Sequence, residues 1–244
     1  MKFTNTIAFL LAGATTVFAS PTAFPTDDFD LEARTDHSQA IEAILTPRTA
    51  EAAPLAKGYA LATPPGIPSA SAARTLLNGL TVGSPGSMTG YSRDLFRHWI
   101  IIQGNCDARE MVLRRDGTGV NVNNACQPTS GSWYSPYDGV TVTVSSSVDI
   151  DHMIPLANAW ISGASGWSAS RRQAFANDLS IPQLWAVTAS SNRSKGDRSP
   201  DQWSPPRAAF RCTYARSWIQ VKSSYNLRIT SAEKTALTSM LNTC

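Results

Sequence analysis

The chain has 244 residues, of which 42% are hydrophobic and 16% are charged, and its formal net charge is +3. It contains no internal repeat and no low-complexity tract, which excludes solenoid and fibrous proteins. Beyond residue 19 no apolar stretch approaches the roughly 20 residues that a membrane-spanning helix needs, which excludes an integral membrane protein.

Residues 1–19 have the pattern of a signal peptide. Lys2 precedes an apolar run over residues 7–12, and the segment ends in the small-residue cleavage pattern Val17-Phe18-Ala19. The apolar run is too short to cross a bilayer. We therefore expect the mature protein to be secreted and extracellular.

Residues 20–69 are rich in Pro, Ala, Thr and acidic residues and show no sustained apolar period. Such a composition cannot bury enough apolar surface to offset the conformational entropy that folding removes. The segment has 7 Asp/Glu against 3 Lys/Arg, a net charge of −4. We interpret it as an acidic linker or pro-segment that precedes a folded domain over residues 70–244.

The predicted domain is the basic part of the chain, with 17 Lys/Arg against 11 Asp/Glu and a net charge of +6. A positive surplus favours a polyanionic partner through phosphate contacts and counterion release. Many basic secreted proteins bind no nucleic acid, so the charge alone leaves the partner open.

The sequence pattern of the domain predicts an α+β fold. Apolar spacing predicts helices over residues 72–80, 156–161, 168–176, 208–223 and 231–241. Short β-branched runs predict strands over residues 120–122, 140–144, 148–151 and 184–187. Residues 93–99 and 108–114 are predicted as short helical or mixed segments. A further helix, capped by Ser190 or Ser191, is expected to carry Asn192 and Lys195.

All four cysteines lie in the predicted domain. An even number of cysteines in an exported chain indicates two disulfides. Of the three connectivities we favour Cys106–Cys126 with Cys212–Cys244, because each bond closes a local loop between neighbouring elements. A zinc site is disfavoured, since no pair has the close spacing that zinc-binding cysteines use.

Residues 149–203 contain the side chains with the clearest chemical content. Asp151 and His152 end a predicted strand, and Asn192 and Lys195 are three residues apart on one face of a predicted helix. Carboxylate and amide oxygens suit a hard divalent cation, and a neutral imidazole can accept a proton from water. This combination indicates metal-assisted hydrolysis of a phosphodiester.

His152 is the candidate general base among three histidines. His37 lies in the predicted linker, and His98 lies in an apolar, aromatic context beside Phe96 and Trp99. The alternative for His152, on pattern alone, is a structural histidine that caps a strand end.

From Gly90 to Cys244, about two thirds of the sequence, the chain resembles secreted HNH-type (His-Me finger) nucleases related to the C-terminal domain of GmrSD restriction endonucleases. The motifs that carry the resemblance are CDARE at 106–110, DIDHMIPL at 149–156, AWISGA at 159–164, FAND at 175–178, NRSKGD at 192–197 and WSPP at 203–206. Together these motifs are specific, whereas an Asp-His pair alone is common.

The resemblance implies a ββα-metal core, in which two strands separated by an excursion are followed by a helix. Asp151 and Asn192 are then the ligands of Mg²⁺ or Mn²⁺, His152 deprotonates the attacking water, and Lys195 faces the scissile phosphate and offsets its charge. The resemblance also implies a monomeric endonuclease that cleaves DNA, or RNA, to 5′-phosphate ends with little sequence preference.

Gln183 is the expected residue that pins the loop bearing the base. Members of the resembled group place an Asn nine residues before the helix ligand, and Gln183 stands at that distance from Asn192. Two further residues are supporting candidates. Asp149 would share a strand face with Asp151, and Arg172 is either scaffold or a phosphate contact.

The alternative function is a secreted binding or effector protein that keeps the same scaffold without turnover. Cleavage of a plasmid that depends on a divalent metal and stops on chelation distinguishes the two.

Overall fold

The computed structural model describes residues 63–244, and within them the chain forms seven α-helices and seven β-strands. The predicted signal peptide and residues 20–62 of the predicted linker lie outside the described residues. Pro64 is buried, and Arg216 Nε donates a hydrogen bond to Pro68 O over 2.5 Å. The last residues of the predicted linker therefore pack against the domain.

The helices are α1 (Ala70–Gly79), α2 (Ala108–Asp116), α3 (Leu156–Ile161), α4 (Ala169–Ala176), α5 (Ala189–Lys195), α6 (Arg211–Ser224) and α7 (Ser231–Leu241). The strands are β1 (Ile101–Gln103), β2 (Cys106–Asp107), β3 (Gly117–Val122), β4 (Pro128–Tyr134), β5 (Thr141–Val142), β6 (Val148–His152) and β7 (Leu184–Thr188). The strands form three antiparallel sheets, β1–β2, β3–β4–β5 and β6–β7. The expected mixture of helices and short antiparallel strands is confirmed.

Side-chain caps set where several helices begin. The Asp107 carboxylate accepts from the backbone N–H of Glu110 at the start of α2, and the Glu110 side chain accepts from Asp107 N in return. Ser168 caps α4, and its side chain accepts from the backbone N–H of Arg171. Each such cap stabilises a helix by about 1 kcal/mol, because it satisfies an N–H that has no partner within the helix.

The β6–β7 pair separates two apolar clusters. Its register runs from Val148 opposite Thr188 to His152 opposite Leu184. Alternate side chains of the pair enter the smaller cluster with α2 and Trp133, namely Val148, Ile150, Leu184 and Ala186. Trp185 and Val187 enter the main cluster on the other side. Asp149 and Asp151 lie opposite these two residues and share their face.

The main cluster joins helices from both ends of the domain. It contains one or more buried residues from each of α1, α3, α4, α6 and α7, among them Leu77, Trp160, Phe175, Trp218 and Leu237. A buried ion pair between Lys222 Nζ and Glu233 Oε1, 3.2 Å apart, links α6 to α7. Lys222 Nζ also donates to Asn158 Oδ1 over 2.7 Å. This hydrogen bond holds α6 against α3, the helix that follows β6.

Both predicted disulfides are present. Cys106–Cys126 joins β2 to the turn before β4, and Cys212–Cys244 joins the start of α6 to the last residue, with Cα–Cα distances of 5.1 and 5.2 Å. Loops of 20 and 32 residues are closed. Each closure stabilises the folded state by about 3 kcal/mol, chiefly by restricting the unfolded chain.

Several predicted elements differ from the observed ones. Strands β1, β2 and β4 were not predicted, and the strand expected over residues 140–144 is reduced to Thr141–Val142. Residues 93–99 contain only a 3₁₀ turn at Arg93–Leu95. The prediction that Ser190 or Ser191 caps α5 was wrong, because Thr188 is the cap and its Oγ1 accepts from Ser191 N. Among residues 63–244 no helix is long and apolar enough to cross a membrane.

Candidate active site

Helix α5 lies against β6 and pairs two of its polar residues with the two aspartates of the strand. Asn192 Nδ2 donates to Asp149 Oδ2 over 3.0 Å, and Lys195 Nζ donates to Asp151 Oδ1 over 2.9 Å. Asn192 and Lys195 are separated by about 4.5 Å along the helix axis, and Asp149 and Asp151 by about 6.7 Å along the strand. These two spacings are similar enough for each helix residue to contact one of the aspartates. The structure thus brings together four residues that the sequence selected.

Asp151 is buried and is held through both carboxylate oxygens. Tyr137 Oη donates to Oδ2 over 2.5 Å, while Lys195 Nζ occupies Oδ1. Burial raises the pKa of Asp151 above its usual value, and the neighbouring Lys195 charge opposes that rise. Burial in turn lowers the pKa of Lys195, against the pull of Asp151.

Lys195 lies behind Asp151 and not at the wall of the site. Its side chain is 0% exposed, and Nζ also donates to the backbone oxygen of His152 over 2.9 Å. Lys195 was expected to face the scissile phosphate, whereas in the structure it is buried behind Asp151. Its charge reaches the site through Asp151.

His152 has a defined tautomer. Its Nε2 is 2.9 Å from the backbone oxygen of Ala176, and a carbonyl oxygen only accepts, so Nε2 carries the hydrogen. Nδ1 is then unprotonated, and the one hydrogen bond of the ring within residues 63–244 is the one from Nε2. Burial lowers the pKa of His152 from 6.5 to about 3, so the ring is neutral at neutral pH.

Trp99 covers the His152 ring. The two rings stack with centroids 5.4 Å apart and planes inclined by 28°. Trp99 has a φ of 58°, a conformation that a bulky residue rarely adopts, so its surroundings must hold it there. Asn177 does so from both sides, because its side chain donates to Arg97 O and accepts from Ile100 N. Asn177 thus serves as scaffold.

Gln183 fixes the backbone that follows the base. Its side chain is fully buried, Oε1 accepts from Ile154 N, and Nε2 donates to Ile154 O, each over 3.1 Å. The backbone oxygen of Gln183 also accepts from Met153 N over 2.7 Å. These contacts are those that a loop-pinning amide requires.

A pocket of about 200 Å³ opens over these residues. Asp151, His152 and Asn192 line it, together with the exposed residues Arg93 and Arg193. Neither arginine forms an ion pair within residues 63–244. Sequence reasoning missed both. Arg193 stands next to Asn192 and was open to prediction, whereas Arg93 reaches the pocket only through the tertiary fold.

Asp138 and Arg172 act outside the pocket. Burial alone would raise the pKa of Asp138. Hydrogen bonds from Thr188 and Ser191 nevertheless hold that pKa below its usual value. Arg172 donates from Nη1 to Trp167 O over 2.6 Å and from Nε to Leu95 O over 3.2 Å. Arg172 is therefore scaffold in this structure, and it does not line the pocket.

The oxygen donors of the pocket fit a hard cation. Because Asn192 gives its NH₂ group to Asp149, its Oδ1 is the free end of the amide. Each Asp151 oxygen has one hydrogen-bond partner and keeps a second lone pair. Within residues 63–244 no three His, Cys, Asp or Glu side chains converge on a metal site. Two protein oxygens completed by water suit Mg²⁺, which retains several waters.

Residues 113–240 match the family described as GmrSD restriction endonucleases, C-terminal domain. The chain belongs to the GmrSD C-terminal domain family. The match covers every residue assigned above to the base, the oxygen donors and the pinned loop. Membership of this GmrSD-type family, which comprises HNH-type restriction endonucleases, indicates a nuclease-type domain and a nucleic-acid substrate.

The chain is also similar to a protein of Arthroderma benhamiae. The "Uncharacterized secreted protein" of Arthroderma benhamiae (strain ATCC MYA-4681 / CBS 112371) is 63% identical over 182 residues, covering 75% of this chain and 89% of that protein. The GmrSD-type protein described here is secreted, like this relative. No solved structure matches the chain.

Proposed function

We propose that the protein is an extracellular, divalent-metal-dependent endonuclease that hydrolyses phosphodiester bonds of DNA, acting as a monomer. The observation that carries the proposal is the hydrogen bond from His152 Nε2 to Ala176 O. It leaves a neutral Nδ1 as the proton acceptor in a pocket that also contains Asp151 and Asn192.

The proton step belongs to His152. Nδ1 takes a proton from the attacking water, and the Ala176 carbonyl stabilises the resulting imidazolium through the Nε2 hydrogen bond. Burial lowers the pKa of His152, so Nδ1 is unprotonated at neutral pH before the water attacks. Trp99 and the Gln183-pinned loop hold the ring and its backbone in place during the exchange.

Binding of the substrate belongs to the arginines of the pocket. Arg93 and Arg193 approach from two different elements and present guanidinium groups with no competing carboxylate partner within residues 63–244. Such groups match the geometry of phosphate oxygens. Lys195 contributes by balancing the Asp151 charge, which otherwise would repel the phosphate.

Asp151 and Asn192 would hold the metal. A bound Mg²⁺ or Mn²⁺ supplies positive charge that stabilises the phosphoryl and leaving oxygens. The 3′ oxygen is the proposed leaving group, so the products carry 5′-phosphate ends.

Purified full-length protein incubated with supercoiled plasmid and Mg²⁺ tests the proposal. We expect nicked and then linear DNA, loss of cleavage on chelation, and its recovery when metal is restored. His37→Ala, which changes a histidine in the predicted linker, is the control and should cleave normally. If folded protein with metal cleaves neither DNA nor RNA, the alternative of a non-catalytic binding protein is correct.

A further inference from the structure

The turn between β4 and β5 contacts both elements of the candidate site through adjacent residues. Tyr137 donates to Asp151 Oδ2 over 2.5 Å, and Asp138 Oδ2 accepts from Ser191 Oγ over 2.8 Å and from Thr188 Oγ1. The turn therefore holds the aspartate of β6 and the first turn of α5 together. Its own backbone is closed by Ser135 N donating to Val140 O over 2.8 Å.

The Tyr137 hydroxyl has a role distinct from that of its ring. The ring packs against Trp203, Phe210 and Tyr214, with centroids 5.4, 5.8 and 5.8 Å away. A phenylalanine would fill this space equally well. Within residues 63–244 the hydroxyl has one hydrogen-bond partner, Asp151. The hydroxyl of Tyr137 is thus explained by its hydrogen bond to Asp151 and not by the packing of the ring.

We propose that Tyr137 is a positioning residue for metal binding, which fixes the Asp151 carboxylate in the orientation that a divalent cation requires. The inference rests on the proposed function, in which Asp151 is a ligand. Lys195 on Oδ1 and Tyr137 on Oδ2 restrain the carboxylate from both oxygens, so it cannot rotate. A restrained ligand loses little freedom when the cation binds, and partners that orient a ligand typically change metal affinity by about 10- to 100-fold.

Tyr214 provides a matched control. It belongs to the same aromatic cluster, and its hydroxyl is buried without a hydrogen-bond partner within residues 63–244. Tyr214→Phe therefore removes the same atom from the same environment without touching Asp151. Loss of an unpaired buried hydroxyl is neutral or stabilising.

The test measures Mn²⁺ binding directly, by electron paramagnetic resonance of free Mn²⁺, on full-length wild type, Tyr137→Phe, Tyr214→Phe and His152→Ala. We expect affinity about 10- to 100-fold weaker in Tyr137→Phe and unchanged in the other two. Plasmid cleavage by Tyr137→Phe should need more metal and should approach the wild-type rate at saturation.

Two outcomes separate this inference from the proposed function. Wild type that binds Mn²⁺ and cleaves, together with a Tyr137→Phe variant of equal affinity, overturns the positioning role alone. Wild type that neither binds Mn²⁺ nor cleaves overturns the proposed function. Near-UV circular dichroism checks that each variant is folded. If Tyr137→Phe is unfolded, the Mn²⁺ titration is repeated with sucrose as stabilising osmolyte, and the affinities of wild type and Tyr137→Phe are compared there.

Discussion

Asp151 and His152 are neighbours on β6, yet they lie in different surroundings. Burial raises the pKa of Asp151, and the hydrogen bonds from Lys195 and Tyr137 oppose that rise because they favour the anion. The histidine lies under Trp99 and donates to a carbonyl, and burial keeps it neutral. Alternation along the strand points the two side chains to opposite faces, which explains their different environments, and both still border the pocket because His152 is the last residue of β6.

Replacement of the base should separate chemistry from folding. We expect His152→Ala to lower turnover by roughly 10²- to 10⁴-fold, the usual contribution of a general base, with an unchanged circular dichroism spectrum. Added imidazole should restore part of the rate. A folded His152→Ala enzyme of normal activity would remove the histidine from the mechanism.

Asn192 carries a conflict between two uses of its amide. Asn192-Arg193-Ser194 is an acceptor sequence for N-glycosylation, and the protein is secreted. A sugar on Nδ2 would break the hydrogen bond to Asp149 and crowd the pocket. We expect mass spectrometry of active secreted protein to find Asn192 without sugar. Full occupancy at normal specific activity would exclude Asn192 as a ligand.

Helices and strands were predicted correctly where their own residues determine the structure, and missed where distant contacts determine it. Helix α3 and strand β7 are short, apolar runs, and α4 has its own cap in Ser168, so all three were predicted within a residue or two. Strand β4 contains Pro128 and Gly131 and has no clean alternation. Only its pairing with β3 and β5 makes it a strand.

The start of α5 shows the same limit. Thr188 is the last residue of β7 and also the helix cap, and its hydroxyl is held by Asp138 from a distant turn. A sequence pattern contains the capping residues but not the turn that selects among them. For the site, Asp151, His152 and Asn192 were predictable because motifs carry them, and Gln183 was predictable from its distance of nine residues to Asn192. Tyr137, Trp99 and Arg93 were not, since only tertiary contacts bring Tyr137 to Asp151, Trp99 to His152 and Arg93 to the pocket.

The Gln183 loop makes an element-scale prediction. Gln183→Ala leaves Ile154 N and Ile154 O unpaired in a buried position, which should cost about 1–3 kcal/mol of unfolding free energy per lost partner. Turnover should fall as the base loses its fixed backbone. Gln183→Asn, one methylene shorter, should recover part of both losses. Urea unfolding and plasmid cleavage measure them, and an Ala variant that matches wild type in both would refute the pinning role.

Stability of the whole molecule should depend on pH through His152. Its pKa is about 3 when folded and 6.5 in the reference state, so between these values the unfolded chain binds the extra proton. Stability therefore falls as pH decreases below 6.5. From pH 7 to pH 5 we expect a loss of about 2 kcal/mol that His152→Gln does not show. Denaturant unfolding of both proteins at the two pH values measures the difference, and equal losses would contradict it.

The Lys195–Asp151 pair also determines what the protein is before any cation arrives. Because the ammonium already neutralises the carboxylate, we expect the metal-free domain to fold without metal, unlike small zinc domains. Chelation should stop cleavage while leaving the melting temperature within about a degree of its original value. A large drop would instead show a metal-dependent fold. If the melting temperature is unchanged, the protein would pass through the secretory pathway as a stable, inactive form. It would acquire its activity from the divalent ions of the medium outside the cell.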